Sequence, residues 1–198
     1  MLIGLTGGMA SGKNYIASLF EKRGCYIIDA DNVARVIIAP DGSAYDAVIA
    51  LFSSDILAED IIDRKKLREI TANDPANLKK LNEIMHPAIK KYVKDEIART
   101  YAKDSKAVII YNAPLLIEAT DLSLYDKIIV VYCDEETQLE RLKSRGYPPY
   151  EEALKLLAQQ MPFSDKRKYA DYIINNSGSQ EQAEKEVAQV WGALTDIW

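Results

Sequence analysis

Two cysteines, one histidine and no long apolar run are the scarcities that first narrow this 198-residue chain. Cys25 and Cys133 are too few and too far apart for a disulfide framework or a metal knuckle, which fits a reducing compartment. His86 stands alone, so no imidazole cluster predicts a metal centre, and a structural or exposed role is commoner for such a residue than catalysis. The longest apolar stretches, at residues 107–111 and 127–132, fall far short of the roughly 20 residues that a membrane-spanning helix needs. Residues 1–6, MLIGLT, lack the basic start and long apolar core of a secretory signal. These absences predict a cytoplasmic protein without membrane association.

An excess of positive charge is missing too. Lys and Arg number 25 against 30 Asp and Glu, a net charge of −5. That balance opposes a nucleic-acid partner, because phosphate neutralisation calls for a basic surface. With 48% apolar and 28% charged residues the chain is not disordered, and at this length roughly 70% of its unfolded surface can be buried. No linker rich in Pro, Gly or Ser divides it, and no repeat recurs. The lack of a long apolar seam points to a monomer.

What is present reads as strands alternating with helices. Residues 2–6 form an apolar run that stops at Gly7-Gly8, and Ile16, Leu19 and Phe20 follow at helical spacing. Residues 26–28 form a second run ending at Asp29, with Val33, Ile37 and Ile38 helically spaced up to Pro40. Residues 107–111, 128–132 and 172–174 complete five candidate parallel strands, and Val187, Val190, Trp191 and Leu194 mark a closing helix. This predicts an α/β fold, a doubly wound five-stranded parallel sheet whose ligand site lies beyond the carboxyl ends of the strands.

About 75 residues between the second and third strands exceed what a crossover needs. They predict an inserted helical subdomain over 60–104. Its strongest pieces are Leu78, Leu81 and Met85 behind Pro75, and then Ile89, Tyr92, Val93, Ile97 and Tyr101 after Pro87. Residues 61–99 carry ten Lys or Arg against six Asp or Glu, so the insertion is the basic part of an acidic chain. Such a face could gather a phosphorylated substrate, although charge on an amphipathic helix is more often solvated surface.

The sharpest chemical signal is Gly7-Gly8-Met9-Ala10-Ser11-Gly12-Lys13-Asn14, which follows a strand and opens a helix. In a phosphate-binding loop, glycines let successive N–H groups turn inward, the helix start adds partial positive charge, and the lysine reaches the β- and γ-phosphates. The bland alternative is a glycine-rich turn with a solvated lysine. Asn14 stands where a Ser or Thr hydroxyl normally ligates magnesium; its amide oxygen is still a hard neutral ligand, so altered metal use is expected. Asp29 and Asp31 end the second strand, where a carboxylate either orients a hydroxyl for phosphoryl transfer or caps the next helix, and spacing does not choose. Arg141 and Arg145 share a helix face just before Gly146-Tyr147-Pro148-Pro149, a segment suited to a lid. They could clamp a triphosphate, or face solvent in ordinary ion pairs.

Taken together, GLTGGMASGK at 4–13, IDAD at 28–31 with Ala34-Arg35, His86-Pro87, PLLIE at 114–118, QLER at 138–141, Ala170-Asp171 and NSG at 176–178 resemble the dephospho-CoA kinase family, in the family's order. The resemblance implies transfer of the ATP γ-phosphoryl group, with Mg2+, to the 3′-hydroxyl of dephospho-CoA, the last step of coenzyme A biosynthesis. It implies a P-loop kinase core over 1–198, a CoA-binding subdomain at 60–104 and a lid at 141–152. Carried over by position, Asp31 matches the catalytic carboxylate and acts with Lys13. Gly7, Gly8, Ala10, Ser11, Gly12, Lys13, Asn14, Tyr15, Arg141, Arg145 and Asn176 match the ATP side. Arg35 and His86 join Asp31 on the acceptor side, and Asn14 is the candidate magnesium ligand. Ala10 stands where the family usually has glycine, and Asn112 leaves no carboxylate at the end of the third strand. Two alternatives are a kinase of another small-molecule acceptor on the same core, and a nucleotide-binding protein that transfers nothing.

Overall fold

A computed structural model describes residues 1–72, 74–144 and 160–196. In chain order its elements are β1 (Leu2–Gly7), α1 (Lys13–Glu21), β2 (Tyr26–Asp29), α2 (Ala30–Ile37), α3 (Tyr45–Phe52), β3 (Leu57–Ala58), β4 (Ile61–Ile62), α4 (Arg64–Ala72), α5 (Pro75–Lys103), β5 (Ile109–Asn112), α6 (Leu116–Ala119), β6 (Lys127–Tyr132), α7 (Glu135–Ser144), α8 (Phe163–Lys166), β7 (Tyr172–Asn175) and α9 (Gln180–Thr195). The chain divides into two compact units, residues 1–27 with 104–198 and residues 28–103.

The expected five-stranded sheet forms in the order β2-β5-β1-β6-β7. β1 runs parallel to β5 with Leu2 opposite Ile109, and parallel to β6 with Ile3 opposite Lys127; β6 runs parallel to β7 with Ile129 opposite Tyr172. Ile3, Leu5, Ile129 and Val130 are fully buried, as covered parallel strands must be, because helices lie on both faces. The principal core joins Ile3, Leu5, Ile110 and Ile129 to Phe20 of α1 and to Val187 of α9, with Phe20 edge-on to Trp191 at 6.5 Å. β1 therefore carries the glycine loop from the middle of the sheet straight into α1.

α9 starts from a reciprocal cap in which Ser179 Oγ accepts from Gln182 N–H while Gln182 Oε1 accepts from Ser179 N–H. Asp171 ties the starts of two strands together. Its carboxylate accepts from Ile128 N–H at 2.8 Å and from Lys127 Nζ at 3.2 Å.

In the second unit, α5 packs against α2, α3 and α4. Two features differ from the sequence-based expectation. α5 is one 29-residue helix that passes through Pro87, where two pieces were expected. The proline removes one backbone donor, and packing on three helices outweighs that local cost of about 3 kcal/mol. The stretch expected to be wholly helical also contains the β3–β4 hairpin, turned by Glu59 in the left-handed region at φ 55°. The compact unit that contains these helices runs from Ile28 to Lys103, because α2 and α3 also pack on α5.

Candidate active site

The loop from β1 to α1 turns through two left-handed residues, Ala10 at φ 55° and Gly12 at φ 85°. At Gly12 no other residue fits, since a Cβ would sit 2.1 Å from Asn176 Nδ2. At Gly7 a Cβ would meet Val131 O at 2.5 Å. Ala10 adopts a conformation that costs a non-glycine residue about 1 kcal/mol. Its methyl is buried and packs with Leu142, which offsets part of that cost. This explains how alanine occupies a position where the resemblance leads one to expect glycine.

α1 begins without a side-chain cap and without an acidic residue in its first turn. Its first intrahelical bond runs from Ile16 N–H to Gly12 O, at 3.1 Å. The positive end of the helix therefore opens onto the loop with no acidic residue in its own first turn. Lys13 Nζ lies over the same loop, donating to Gly7 O at 3.1 Å and Gly8 O at 3.3 Å. Ser11 Oγ, in a residue only 1% exposed, has no hydrogen-bond partner among the described residues. Together these groups make a concentrated anion-attracting turn.

The loop is braced from two later segments. Asn176, 4% exposed just after β7, donates from Nδ2 to Ser11 O at 2.7 Å. Arg141 of α7 donates to Ala10 O at 3.3 Å, to Ser11 O at 3.4 Å and to Asn176 O at 2.8 Å. Both residues of the expected nucleotide set thus converge on the loop through its carbonyls. Gln138 and Gln160, to which no role is assigned from sequence, bond Met9; the signals available for Gln138 are its place in the QLER motif and its position three residues before Arg141 on the same helix face. Tyr15 turns its side chain elsewhere, packing against the main core with its hydroxyl donating to Glu184 at 3.5 Å, so only its backbone suits a phosphate. Arg145 and residues 145–152 of the expected lid lie outside the described residues.

Asn14 Oδ1 accepts from Asn112 Nδ2 at 2.9 Å, joining the first turn of α1 to the end of β5. Asn14 offers a neutral amide oxygen here, and no group of three or more His, Cys, Asp or Glu side chains that could hold a metal occurs among the described residues. That donor set fits an ion held mainly by phosphate oxygens and water.

Burial controls the two thiols. Cys25 is pushed up to about 12. Burial also raises Cys133, against the opposing pull of Arg141, which donates to its sulfur at 3.4 Å. Neither behaves as an activated nucleophile.

In the second unit, Asp29 and Asp31 take different roles. Asp29 caps α2, its Oδ1 accepting from Asn32 N–H at 2.8 Å. Asp31 lies exposed in the first turn, and Arg35 is exposed one turn later on the same helix. His86 is also exposed and lines a groove of about 580 Å³ along α5 with Leu78, Asn82 and Pro87. All ten basic residues of 61–99 are exposed; Lys91 and Arg99 pair with Asp95 and Glu96 of their own helix.

The dephospho-CoA kinase family matches residues 1–182. A dephospho-CoA kinase from Geobacter metallireducens is 43% identical over 192 residues, covering 96% of this chain and 95% of its own. A dephospho-CoA kinase domain-containing protein from Danio rerio is 40% identical, covering 98% of this chain and 86% of its own. The structure of dephospho-CoA kinase from Campylobacter jejuni superposes with a TM-score of 0.74 at 28% identity, covering 98% of this chain and 97% of that one. A family match over residues 1–182, with relatives 40% and 43% identical over nearly the whole chain, places the protein in the dephospho-CoA kinase family.

Proposed function

We infer that the protein transfers the γ-phosphoryl group of ATP to the 3′-hydroxyl of dephospho-CoA, yielding coenzyme A and ADP. Membership of the family supports the activity. The observation that carries the mechanism is the uncapped start of α1 behind a loop that Lys13 overlies.

In this reading the loop N–H groups and Lys13 take the β- and γ-phosphates, Lys13 exchanging its carbonyl acceptors for phosphate oxygens. The set comprises Gly7, Gly8, Ala10, Ser11, Gly12, Lys13, Asn14 and the backbone of Tyr15, with Arg141 and Asn176 holding the loop and Arg145 as a further ligand of ATP. Asp31 accepts the proton of the ribose hydroxyl as that oxygen bonds to the γ-phosphorus and the bond to the ADP oxygen breaks. Arg35 and His86 serve the acceptor. Asn14 would help to hold a magnesium ion brought in with ATP, and such an ion would supply charge neutralisation to the phosphates. Catalysis then rests on positioning and electrostatics. The working form is a cytoplasmic monomer with residues 141–152 as lid and 60–104 as acceptor subdomain. Among the described residues no helix is long and apolar enough to cross a membrane.

The deciding assay incubates the protein with ATP, magnesium and dephospho-CoA and detects coenzyme A by mass spectrometry. Formation of coenzyme A is expected. ATP binding without product would favour a nucleotide-binding protein that transfers nothing, and product only with another alcohol would favour a different small-molecule kinase.

A further inference from the structure

The apex of the glycine loop is held by a pair of side-chain amides of opposite polarity. Gln138 Nε2 of α7 donates to Met9 O at 2.7 Å, while Gln160 Oε1 accepts from Met9 N–H at 2.7 Å. The two bonds fix the peptides on either side of Met9, and the second of these peptides leads directly into Ala10. Both amides converge on Gly8, where a Cβ would lie 2.8 Å from Gln138 Nε2 and 3.8 Å from Gln160 Oε1.

Ala10 is the strained residue of the loop, held at φ 55°. An alanine released from its surroundings returns to negative φ, which rotates the neighbouring N–H groups out of register with a phosphate. We propose that Gln138 and Gln160 are positioning residues of the phosphate loop, clamping the peptides around Met9 so that Ala10 keeps its left-handed backbone and the loop N–H groups stay aimed at the nucleotide. Arg141 completes the clamp from the far side of Ala10, through Ala10 O and Ser11 O. This inference rests on the phosphate-loop reading given above and extends it to residues outside the loop.

The polarity of the two bonds supplies the test. A glutamate at 160 can still accept from Met9 N–H, whereas a glutamate at 138 cannot donate to Met9 O and repels it. Both substitutions add the same charge beside the loop, so the difference between them reports the hydrogen bond. ADP affinity is measured by calorimetry for Gln138→Glu, Gln160→Glu and Gln138→Met, the last also in an Ala10→Gly background, alongside KM for each substrate and the melting temperature. Gln138→Glu and Gln138→Met are expected to weaken ADP about tenfold and raise KM for ATP similarly, with KM for dephospho-CoA unchanged. Gln160→Glu is expected to lose at most about threefold. Ala10→Gly is expected to remove at least half of the Gln138→Met loss, because glycine needs no clamp to stay left-handed.

Equal losses for Gln138→Glu and Gln160→Glu, or a Gln138→Met loss undiminished in the Ala10→Gly background, overturn the proposal. The methionine pair carries this decision even if Gln138→Glu does not fold. A Lys13→Ala control separates the two levels: wild-type ADP affinity in that variant refutes the phosphate-loop reading itself, and the clamp falls with it.

Discussion

The glycine loop and the first turn of α2, where the proposed reaction places its phosphate-binding groups and its acceptor-side charges, are built in opposite ways. Around the loop, side chains from α7, from residue 160 and from the segment after β7 bond the carbonyls and one N–H of residues 9–11. At α2, Asp31 and Arg35 lie exposed, and the one local cap comes from Asp29. The contrast teaches that the loop backbone is preorganised, while the charges at the start of α2 are presented rather than fixed. Preorganisation suits the loop because misaimed dipoles contribute little to a developing charge.

The first way to break this comparison is Lys13→Ala. It should cost about 3 kcal/mol of transition-state stabilisation, roughly a hundredfold in kcat/KM, measured by steady-state coupled assay. A near wild-type value would show that the loop is not the phosphate site.

Asp31→Asn should lower kcat roughly thirtyfold, about 2 kcal/mol, with both KM values little changed. Because Asp29 is the cap, thermal stability should stay within about 0.5 kcal/mol. A lowered melting temperature with intact kcat would reverse the roles of the two aspartates.

The interior of the first unit offers a sharper structural contrast. Lys166 is only 2% exposed and pairs with Glu118 at 2.6 Å, the glutamate keeping 23% exposure. Lys166→Met should cost about 2 kcal/mol, below the usual figure for a fully buried pair, because Glu118 can rehydrate in part. That corresponds to a melting temperature lower by about 5 °C in calorimetry.

A smaller effect is expected at Asp134, which begins α7 and so holds the helix that bears Gln138 and Arg141. Its Oδ1 accepts from Thr137 N–H at 2.8 Å, and that bond, with help from the Thr137 and Ser177 hydroxyls, keeps its carboxyl below the usual carboxylate value. A lowered folded-state value stabilises the fold above the ordinary carboxylate pKa and is lost as pH falls through the lowered one. Asp134→Ala should therefore cost about 1 kcal/mol at neutral pH. In chemical denaturation at successive pH values, the difference from wild type should shrink once the pH falls below about 4.

Asn14→Ser is the smallest. A hydroxyl suits magnesium better, but the substitution gives up the Asn112 bond at 2.9 Å. The two effects oppose each other, leaving about a twofold gain in turnover at limiting magnesium, read from a magnesium titration. No gain would mean that the amide oxygen already serves.

Much of this was legible beforehand because it depends on neighbours in the chain. The run at 2–6, Gly7-Gly8 and the spacing of Ile16, Leu19 and Phe20 announce strand, turn and helix locally, and the elements lie where those signals put them. Asn176 and Arg141 were visible as candidates but not as braces. Asn176 is 165 residues from its acceptor Ser11, and no local pattern encodes such a pairing. Pro87 misled for the converse reason: its local penalty is real, and contacts from α2, α3 and α4 override it.

By itself, the sequence determined the alternation of elements, the residue types of the glycine loop and the family to which the chain belongs. These follow from short-range periodicity, from backbone freedom at glycine and from motif order. Only the tertiary structure decided that Asp29 caps while Asp31 stays exposed, that α5 continues through a proline, and that two glutamines and an arginine bond the backbone around a left-handed Ala10. Hydrogen bonds and packing between distant segments are fixed by three-dimensional proximity, which no local stretch of the chain specifies.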